Sequence, residues 1–278
     1  MAPLRVLSLF DGISCGQLAL RRVGVRDYEY FASEIDPGAI AITMRRFPDT
    51  IQLGDVRTVS APPGRRIDIL MGGSPCQGLS QSGKKLGLND PRSRLFFEFL
   101  RLLKSARPRY FLLENVPMPR SIQDDISNLL GCEPIEIDSA AFCAQRRVRL
   151  YWTNLPLPAK RSKPSDRVLA DVIGKQVPAS VVRSPKPMYL YNIFENGGQN
   201  GNVFSPYGKC PPLLSGTTPR VDLGGGKHRK VTAEECEKLQ TVPVGYTREL
   251  SSTRRIFHLG NGWTVDVIAH LLRPLLTK

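Results

Sequence analysis

Through its first half the chain alternates short apolar runs with stretches of helical spacing. Val6 to Phe10, Tyr28 to Ser33, Ile67 to Met71 and Tyr110 to Leu113 are mostly apolar and bounded by turn residues. Runs of this length and composition read as strands buried on both faces. Between them, Leu18, Leu20 and Val23, then Pro37 to Phe47, then Ser93 to Ala106 and Ile122 to Leu130 carry apolar residues at helical intervals. Strand and helix in strict alternation predict an α/β fold, a parallel sheet with helices on both faces. Glu133 to Asp138 and the stretch Phe142 to Thr153 close the sheet. In the latter, alternation puts Arg147 and Arg149 on one face and Val148 and Leu150 on the other.

The pattern then breaks. From Pro156 to Lys230 prolines recur, glycines cluster at Gly197, Gly198, Gly201 and Gly224 to Gly226, and periodicity is lost. This predicts a loop-rich second region. A short helix, Thr232 to Gln240, follows, with Thr232 as N-cap and Glu235 placed for a capping box. The chain ends on Gly260-Asn261-Gly262-Trp263 and an amphipathic helix over Val265 to Leu275. Its apolar face, Val267, Ile268, Leu271, Leu272 and Leu275, is expected to dock on the first domain. The expected division is a catalytic domain over 1–153, a small domain over 154–255, and a C-terminal segment, 256–278, returning to the first.

Parallel strands all end at one edge of the sheet, where open α/β folds hold their ligands, so the residues at strand ends carry the candidate chemistry. After Val6 to Phe10 comes Asp11-Gly12-Ile13-Ser14-Cys15-Gly16 and a helix start, the mononucleotide-binding opening of a Rossmann-like sheet or no more than a tight connection. Glu34, ending the second strand, is placed to accept both hydroxyls of a ribose. Asp55, in Gly54-Asp55-Val56, is placed for an adenine amino group, with an N-cap or Asx turn as the alternative. Ile67 to Met71 runs into Gly72-Gly73-Ser74-Pro75-Cys76-Gln77, which sets a thiol at the same edge with Lys84, Lys85, Arg92 and Arg94 near in sequence. Nearby cations and a following helix N-terminus lower a thiol pKa and make a nucleophile; a small buried apolar cysteine is the alternative. Tyr110 to Leu113 ends at Glu114, a carboxyl whose burial would raise its pKa, expected beside Cys76. Arg147 and Arg149 are either a solvated edge or a clamp for an anion or a base.

Charge sharpens the picture of the second region. The chain carries +14 at neutral pH, and residues 145–230 hold 15 Lys and Arg against 4 Asp and Glu, so +11 of the +14 lies there. Such concentration points to a polyanion, nucleic acid foremost, with a merely solvated basic face as the alternative. No apolar run approaches the roughly 18 residues of a membrane span, and residues 1–30 have no secretory pattern, so a soluble, intracellular protein is expected. Six cysteines make no C-x-x-C pair and three histidines lack zinc-ligand spacing. Reduced thiols and no metal are expected.

Taken together and in order, FDGISCG, SEID, GDV, GGSPCQGLS, ENV, QRRVR and GNGWTVDVIAHLL resemble the cytosine-5 DNA methyltransferases across nearly the whole chain outside its loop-rich middle. Ser93-Arg94-Leu95-Phe96-Phe97-Glu98-Phe99 and Trp263 resemble the animal de novo branch, in a compact bacterial or phage-type form. The usual family ending is G-N-S-V, whereas this chain has Gly-Asn-Gly-Trp. The resemblance implies a Rossmann-like methyltransferase sheet with a smaller target-recognition region, and S-adenosyl-L-methionine as cofactor. Cofactor contacts would come from Phe10, Asp11, Gly12, Ile13, Ser14, Cys15, Gly16, Glu34, Ile35, Asp55, Val56, Pro75, Asn261, Gly262 and Trp263. Cys76 would be the nucleophile, Glu114 its partner at the base, and Arg147 with Arg149 would hold the base and the Cys76 loop. The implied partner is double-stranded DNA, with Gln77, Ser80, Gln145, Arg220, Lys227 and Arg229 as contacts. Thr217-Thr218-Pro219-Arg220 resembles a stretch near the guanine side in the de novo branch, and Arg220 suits either a guanine edge or a phosphate. The implied compartment is the cytoplasm of a bacterial or phage-infected cell, or the nucleus for an excised eukaryotic domain.

Three rivals stand beside this reading. Transfer RNA is a substrate of one branch with the same chemistry. An inactive DNA-binding relative would lack Cys76 or Glu114, and both are present. A dinucleotide oxidoreductase would carry G-x-G-x-x-G in its first turn, and this one does not.

Overall fold

The computed structural model describes residues 2–75, 94–156 and 164–276. Cys76, Gln77 and Ser80 lie outside the described residues. The chain groups into two compact units: Met1–Ile137 with Val148–Pro158 and Ala269–Lys278, and Asp138–Arg147 with Ala159–Ile268. The grouping departs from the expected boundaries at three places, one of them the run of the first unit past 153 to Pro158. The segment Asp138–Arg147 clusters with the second unit, and the C-terminal segment joins the first only from Ala269.

The first unit is built on a seven-stranded sheet. Its strands are β1 (Leu4–Leu9), β2 (Tyr28–Ser33), β3 (Ile51–Gln52), β4 (Ile69–Gly73), β5 (Tyr110–Asn115), β6 (Ile135–Asp138) and β7 (Val148–Thr153). They lie in the order β3-β2-β1-β4-β5-β7-β6. Neighbours from β3 to β5 are parallel, and β7 runs antiparallel to β5. Four helices complete the alternation: α1 (Cys15–Arg22), α2 (Pro37–Arg46), α3 (Arg94–Ala106) and α4 (Arg120–Leu130).

The α/β sheet and the helices between its strands match the sequence expectation because the same apolar runs decide both. Leu7, Leu9, Leu70, Leu113 and Trp152 from the strands bury against Phe96, Phe99, Leu102, Ile122 and Ile126 from α3 and α4. Each large apolar side chain so buried contributes on the order of 2 kcal/mol. Helix α2 starts where it must: the Asp36 carboxylate caps the N–H groups of Gly38 and Ala39 at 2.9 and 3.1 Å, and Pro37 takes the first helical position. Gly16, the second residue of α1, lies tight against two buried side chains. A Cβ there would stand 2.6 Å from the Tyr30 hydroxyl and 2.7 Å from the Met71 sulfur.

The second unit contains α5 (Leu169–Ile173), a four-stranded sheet, α6 (Ala233–Leu239), α7 (Ser252–Asn261) and the start of α8 (Val265–Leu272). The sheet, in the order β11-β10-β9-β8, comprises β8 (Tyr189–Asn192), β9 (Asn202–Phe204), β10 (Arg220–Gly224) and β11 (Lys227–Lys230). The loop-rich stretch carries this sheet, which was not foreseen: its strands are short, bulged and half exposed, so they leave no alternation to read. Helix α6 forms as expected, with Thr232 and Glu235 in a reciprocal capping box. Helix α7 was not foreseen. It takes in Gly260 and Asn261. Helix α8 stops at Leu272 and passes into a 3-10 turn over Arg273–Leu276.

Candidate active site

Because β1 to β5 run the same way, their carboxyl ends form a row along one edge of the sheet. The pairings Leu9 with Ser33, Leu9 with Gly72 and Gly73 with Glu114 set the Asp11 turn, Glu34, Ser74-Pro75 and Glu114 along it. The order reverses between β1 and β4, the switch point where such sheets leave a crevice.

The β1–α1 turn is a strained one. Phe10 and Ser14 have φ of 56° and 55°, and Gly12 between them has 58°. Non-glycine residues at such angles cost on the order of 1 kcal/mol each and persist only where their surroundings hold them. Three carboxylate contacts do so here. Tyr30 donates its hydroxyl to Asp11 Oδ1 at 2.7 Å, Ser14 donates to Asp11 Oδ2, and the Gly12 N–H donates to Glu34 Oε2 at 2.8 Å. Burial pushes the Asp11 carboxyl up to about 6, against the lowering effect of the Ser14 and Tyr30 hydroxyls and with a smaller upward push from Glu34. Ser14 is joined in turn by Thr43 and Gln17, and Gln17 donates to Thr50 at 2.8 Å, so a buried polar network underlies the turn. Of the other residues of this turn, Ile13 and Cys15 are buried.

Glu34 Oε1 also accepts the N–H groups of Ile35 and Asp36, both at 2.8 Å, so its carboxylate bridges the ends of β1 and β2. Ile35 itself is well exposed, at 69%. Asp55 follows the two-residue β3, and its carboxylate accepts the Arg57 backbone N–H at 3.0 Å and the Arg57 guanidinium. The Asx turn weighed from the sequence is therefore present. The Arg57 side chain and N–H pull the Asp55 carboxyl down to about 2. Val56 is buried beside it. Two carboxylates at successive strand ends, one anionic across the working pH range, suit the hydroxyl and amino donors of an adenosyl group.

At β5, Glu114 is 9% exposed and is not left unpaired: Arg149 Nε stands 3.0 Å from its Oε1. Asn115, unremarked from the sequence, donates to the Ser74 hydroxyl at 3.2 Å and its carbonyl at 3.4 Å, and so fixes the chain immediately before exposed Pro75.

Arg147 corrects the expected pairing with Arg149. It precedes β7, is 5% exposed, and donates to the carbonyls of Leu213, Gly260 and Gly262 at 3.0, 2.8 and 3.2 Å within the second unit. Gln145, expected to touch DNA, is fully buried: its amide donates to Gln240 Oε1 at 3.0 Å and accepts the Leu213 N–H at 2.8 Å. Arg229 is likewise engaged, bidentate on Glu235 at 2.8 and 2.7 Å, which reinforces the α6 cap. The Arg220 side chain donates to the Asn200 carbonyl at 3.3 Å, and Lys227 is exposed on the Gly224–Gly226 hairpin. Asn261 is exposed at the end of α7, Gly262 caps that helix, and Trp263 is half-buried. Among the described residues no His, Cys, Asp and Glu cluster could hold a metal ion, and no helix is long and apolar enough to cross a membrane.

Comparison with known proteins agrees with this geometry. Residues 4–125 match the family described as C-5 cytosine-specific DNA methylase. The type II methyltransferase M1.ScrFI of Lactococcus lactis subsp. cremoris is 28% identical over 99% of this chain and 78% of its own length. The orphan methyltransferase M.Rho11sI of Bacillus phage rho11s is 42% identical over 119 residues, 42% of this chain and 24% of that protein. Among solved structures, the methyltransferase EhMeth of Entamoeba histolytica superposes with a TM-score of 0.73 at 17% identity, over 100% of this chain and 99% of that one. The chain is thus a methyltransferase, and its residues 4–125 are similar to the C-5 cytosine-specific DNA methylases.

Proposed function

We propose that the protein transfers a methyl group from S-adenosylmethionine to carbon 5 of a flipped-out cytosine in duplex DNA, through a covalent Cys76 adduct. The observation that carries the reading is the pairing of β4 with β5. Gly73, three residues before Cys76, lies directly opposite Glu114, whose carboxylate Arg149 holds at 3.0 Å.

Carbon 5 of cytosine is a weak nucleophile. Addition of the Cys76 thiolate at carbon 6 pushes electron density to carbon 5 and makes it enamine-like. Glu114, sharing a proton with ring nitrogen 3, stabilises the charge that this addition creates, and Arg149 fixes the carboxylate for that task. After carbon 5 has accepted the methyl group, a base takes the carbon-5 proton, the ring double bond re-forms, and the thiolate leaves. When bound, S-adenosylmethionine supplies the electrophilic methyl group. Glu34 would accept its ribose hydroxyls, Asp55 its adenine amino group, and the Phe10 to Gly16 turn would line its path.

A stacked base cannot reach such a site, so the cytosine must leave the helix at a cost of a few kcal/mol. Cations of the second unit, half-buried Arg220 and exposed Lys227 among them, would offset that cost through phosphate and base contacts. The resemblance to the animal de novo branch rests on Ser93 to Phe99, Thr217 to Arg220 and Trp263. The setting implied is the cytoplasm of a bacterial or phage-infected cell.

The test is a duplex carrying 5-fluorocytosine, incubated with tritiated S-adenosylmethionine. A denaturation-resistant protein–DNA adduct that disappears in Cys76→Ala is the expected result. Methyl transfer to transfer RNA with no adduct on DNA would move the same chemistry to another substrate, and neither outcome would leave a binding protein.

A further inference from the structure

The Asp55 segment has little sheet to hold it. Strand β3 is only Ile51–Gln52, and beyond it the Leu53 N–H to Ala32 carbonyl bond, at 2.8 Å, and the Ser33 hydroxyl on the Gly54 carbonyl, also at 2.8 Å, are the last ties to β2. The chain then turns, with Thr58 N–H on the Asp55 carbonyl at 2.9 Å and Val59 N–H on the Val56 carbonyl at 3.3 Å. What meets this turn from outside is Arg101 of α3. Its Nη2 donates to the Val56 carbonyl and its Nη1 to the Val59 carbonyl, both at 2.9 Å, while Nε rests on Glu98 at 2.7 Å.

The Val56 carbonyl and the Arg57 N–H belong to one planar peptide unit. Arg101 holds the oxygen of that unit, and its N–H donates to Asp55 Oδ1 at 3.0 Å. We propose that Arg101 is a positioning residue of the cofactor site, orienting the Asp55 carboxylate toward adenine through this single peptide plane. The proposal rests on the cofactor reading above. A guanidinium suits the task because its rigid fork spans two carbonyls at a set separation; an ammonium is a point charge and cannot reproduce that spacing. Val56 and Val59, 5% and 4% exposed, anchor the turn from below, so loss of the fork should loosen its orientation rather than unfold it.

The experiment compares the full-length protein with Arg101→Met and Arg101→Lys, and with Lys104→Met on an exposed position of the same helix as control. Calorimetric titration with S-adenosylhomocysteine and with its hypoxanthine counterpart, which lacks the amino group, measures both affinity and adenine preference. In Arg101→Met, S-adenosylhomocysteine should bind about tenfold more weakly, the scale of one charge-assisted hydrogen bond. The preference for adenine should shrink in step, Arg101→Lys should fall between, and turnover at saturating cofactor should change little. Unchanged affinity, or an equal loss for both ligands with the preference intact, overturns the proposal. If Arg101→Met does not fold, the ratio measured in Arg101→Lys decides the matter alone. A wild type that binds neither thioether overturns the cofactor reading, and the proposal with it.

Discussion

The two units use their buried polar groups in opposite ways. In the first, carboxylates gather at strand ends and hold loop amides and guanidinium groups there: Glu34 three N–H groups, Asp55 the Arg57 N–H and guanidinium, Glu114 the Arg149 guanidinium. In the second, buried polar side chains serve the unit itself. Arg147 ties three carbonyls, and Lys209, 2% exposed, donates to the carbonyls of Cys143, Ser165 and Arg167 at 2.8, 3.0 and 2.7 Å. Glu237, fully buried, accepts the N–H groups of Gly245 and Thr247 and an Arg255 guanidinium N–H. A region with few long strands has many unpaired backbone groups, and charged side chains satisfy them. Its net positive charge therefore overstates what it offers a polyanion, since part of that charge is engaged inside.

Four measurements probe this contrast. The largest effect is expected at the sheet edge: Glu114→Gln should lower turnover by about 10²–10⁴-fold, the usual range for a lost proton donor, with cofactor binding unchanged. A turnover within tenfold of wild type would remove Glu114 from the chemistry. Next comes Arg147→Met, which removes this donor from the buried carbonyls of Leu213 and Gly260, while the Gly262 carbonyl keeps the Gln240 amide. We expect about 3 kcal/mol of lost stability, read by chemical denaturation, with S-adenosylhomocysteine affinity unaltered. A rate effect without a stability effect would restore Arg147 to the catalytic group.

The Asp11 carboxyl gives a pH signature. Its folded pKa, about 6, is raised above 3.8, so the folded state holds the proton more tightly. This group therefore favours folding below about pH 4, and that contribution is lost as pH rises to about 6, up to about 3 kcal/mol in all. Asp11→Asn should flatten stability between those limits; an unchanged slope there would show that Asp11 titrates normally. The smallest effect is expected on the exposed face of the second unit. Arg220→Ala with Lys227→Ala should weaken DNA binding and make it less salt-dependent. The slope of log Kd against log salt should fall by roughly one for each phosphate that is no longer neutralised. An unchanged slope would take both side chains off the DNA. The same substitutions at engaged residues, Arg229 and Lys209, should change folding instead.

The α/β sheet, its strand ends and the acidic residues on them were readable from the chain alone, because a buried parallel strand must be apolar throughout and must stop where the first polar residue can reach the edge. Glu34, Asp55 and Glu114 were found by that rule. So was the α6 cap, since capping depends on residues three apart. Tertiary structure decided the rest. Arg147 and Arg149 sit two apart on what reads as one strand face, yet the strand begins only at Val148, and Arg147 turns to carbonyls that are distant in sequence. Gln145 looked like a groove residue and is a core amide. The carbonyls that Arg101 holds, and the Ser74 that Asn115 holds, gave no local signal, for they lie more than forty residues away. Periodicity reports which face of an element is buried; what a long polar side chain meets there depends on which backbone groups the fold has left unpaired.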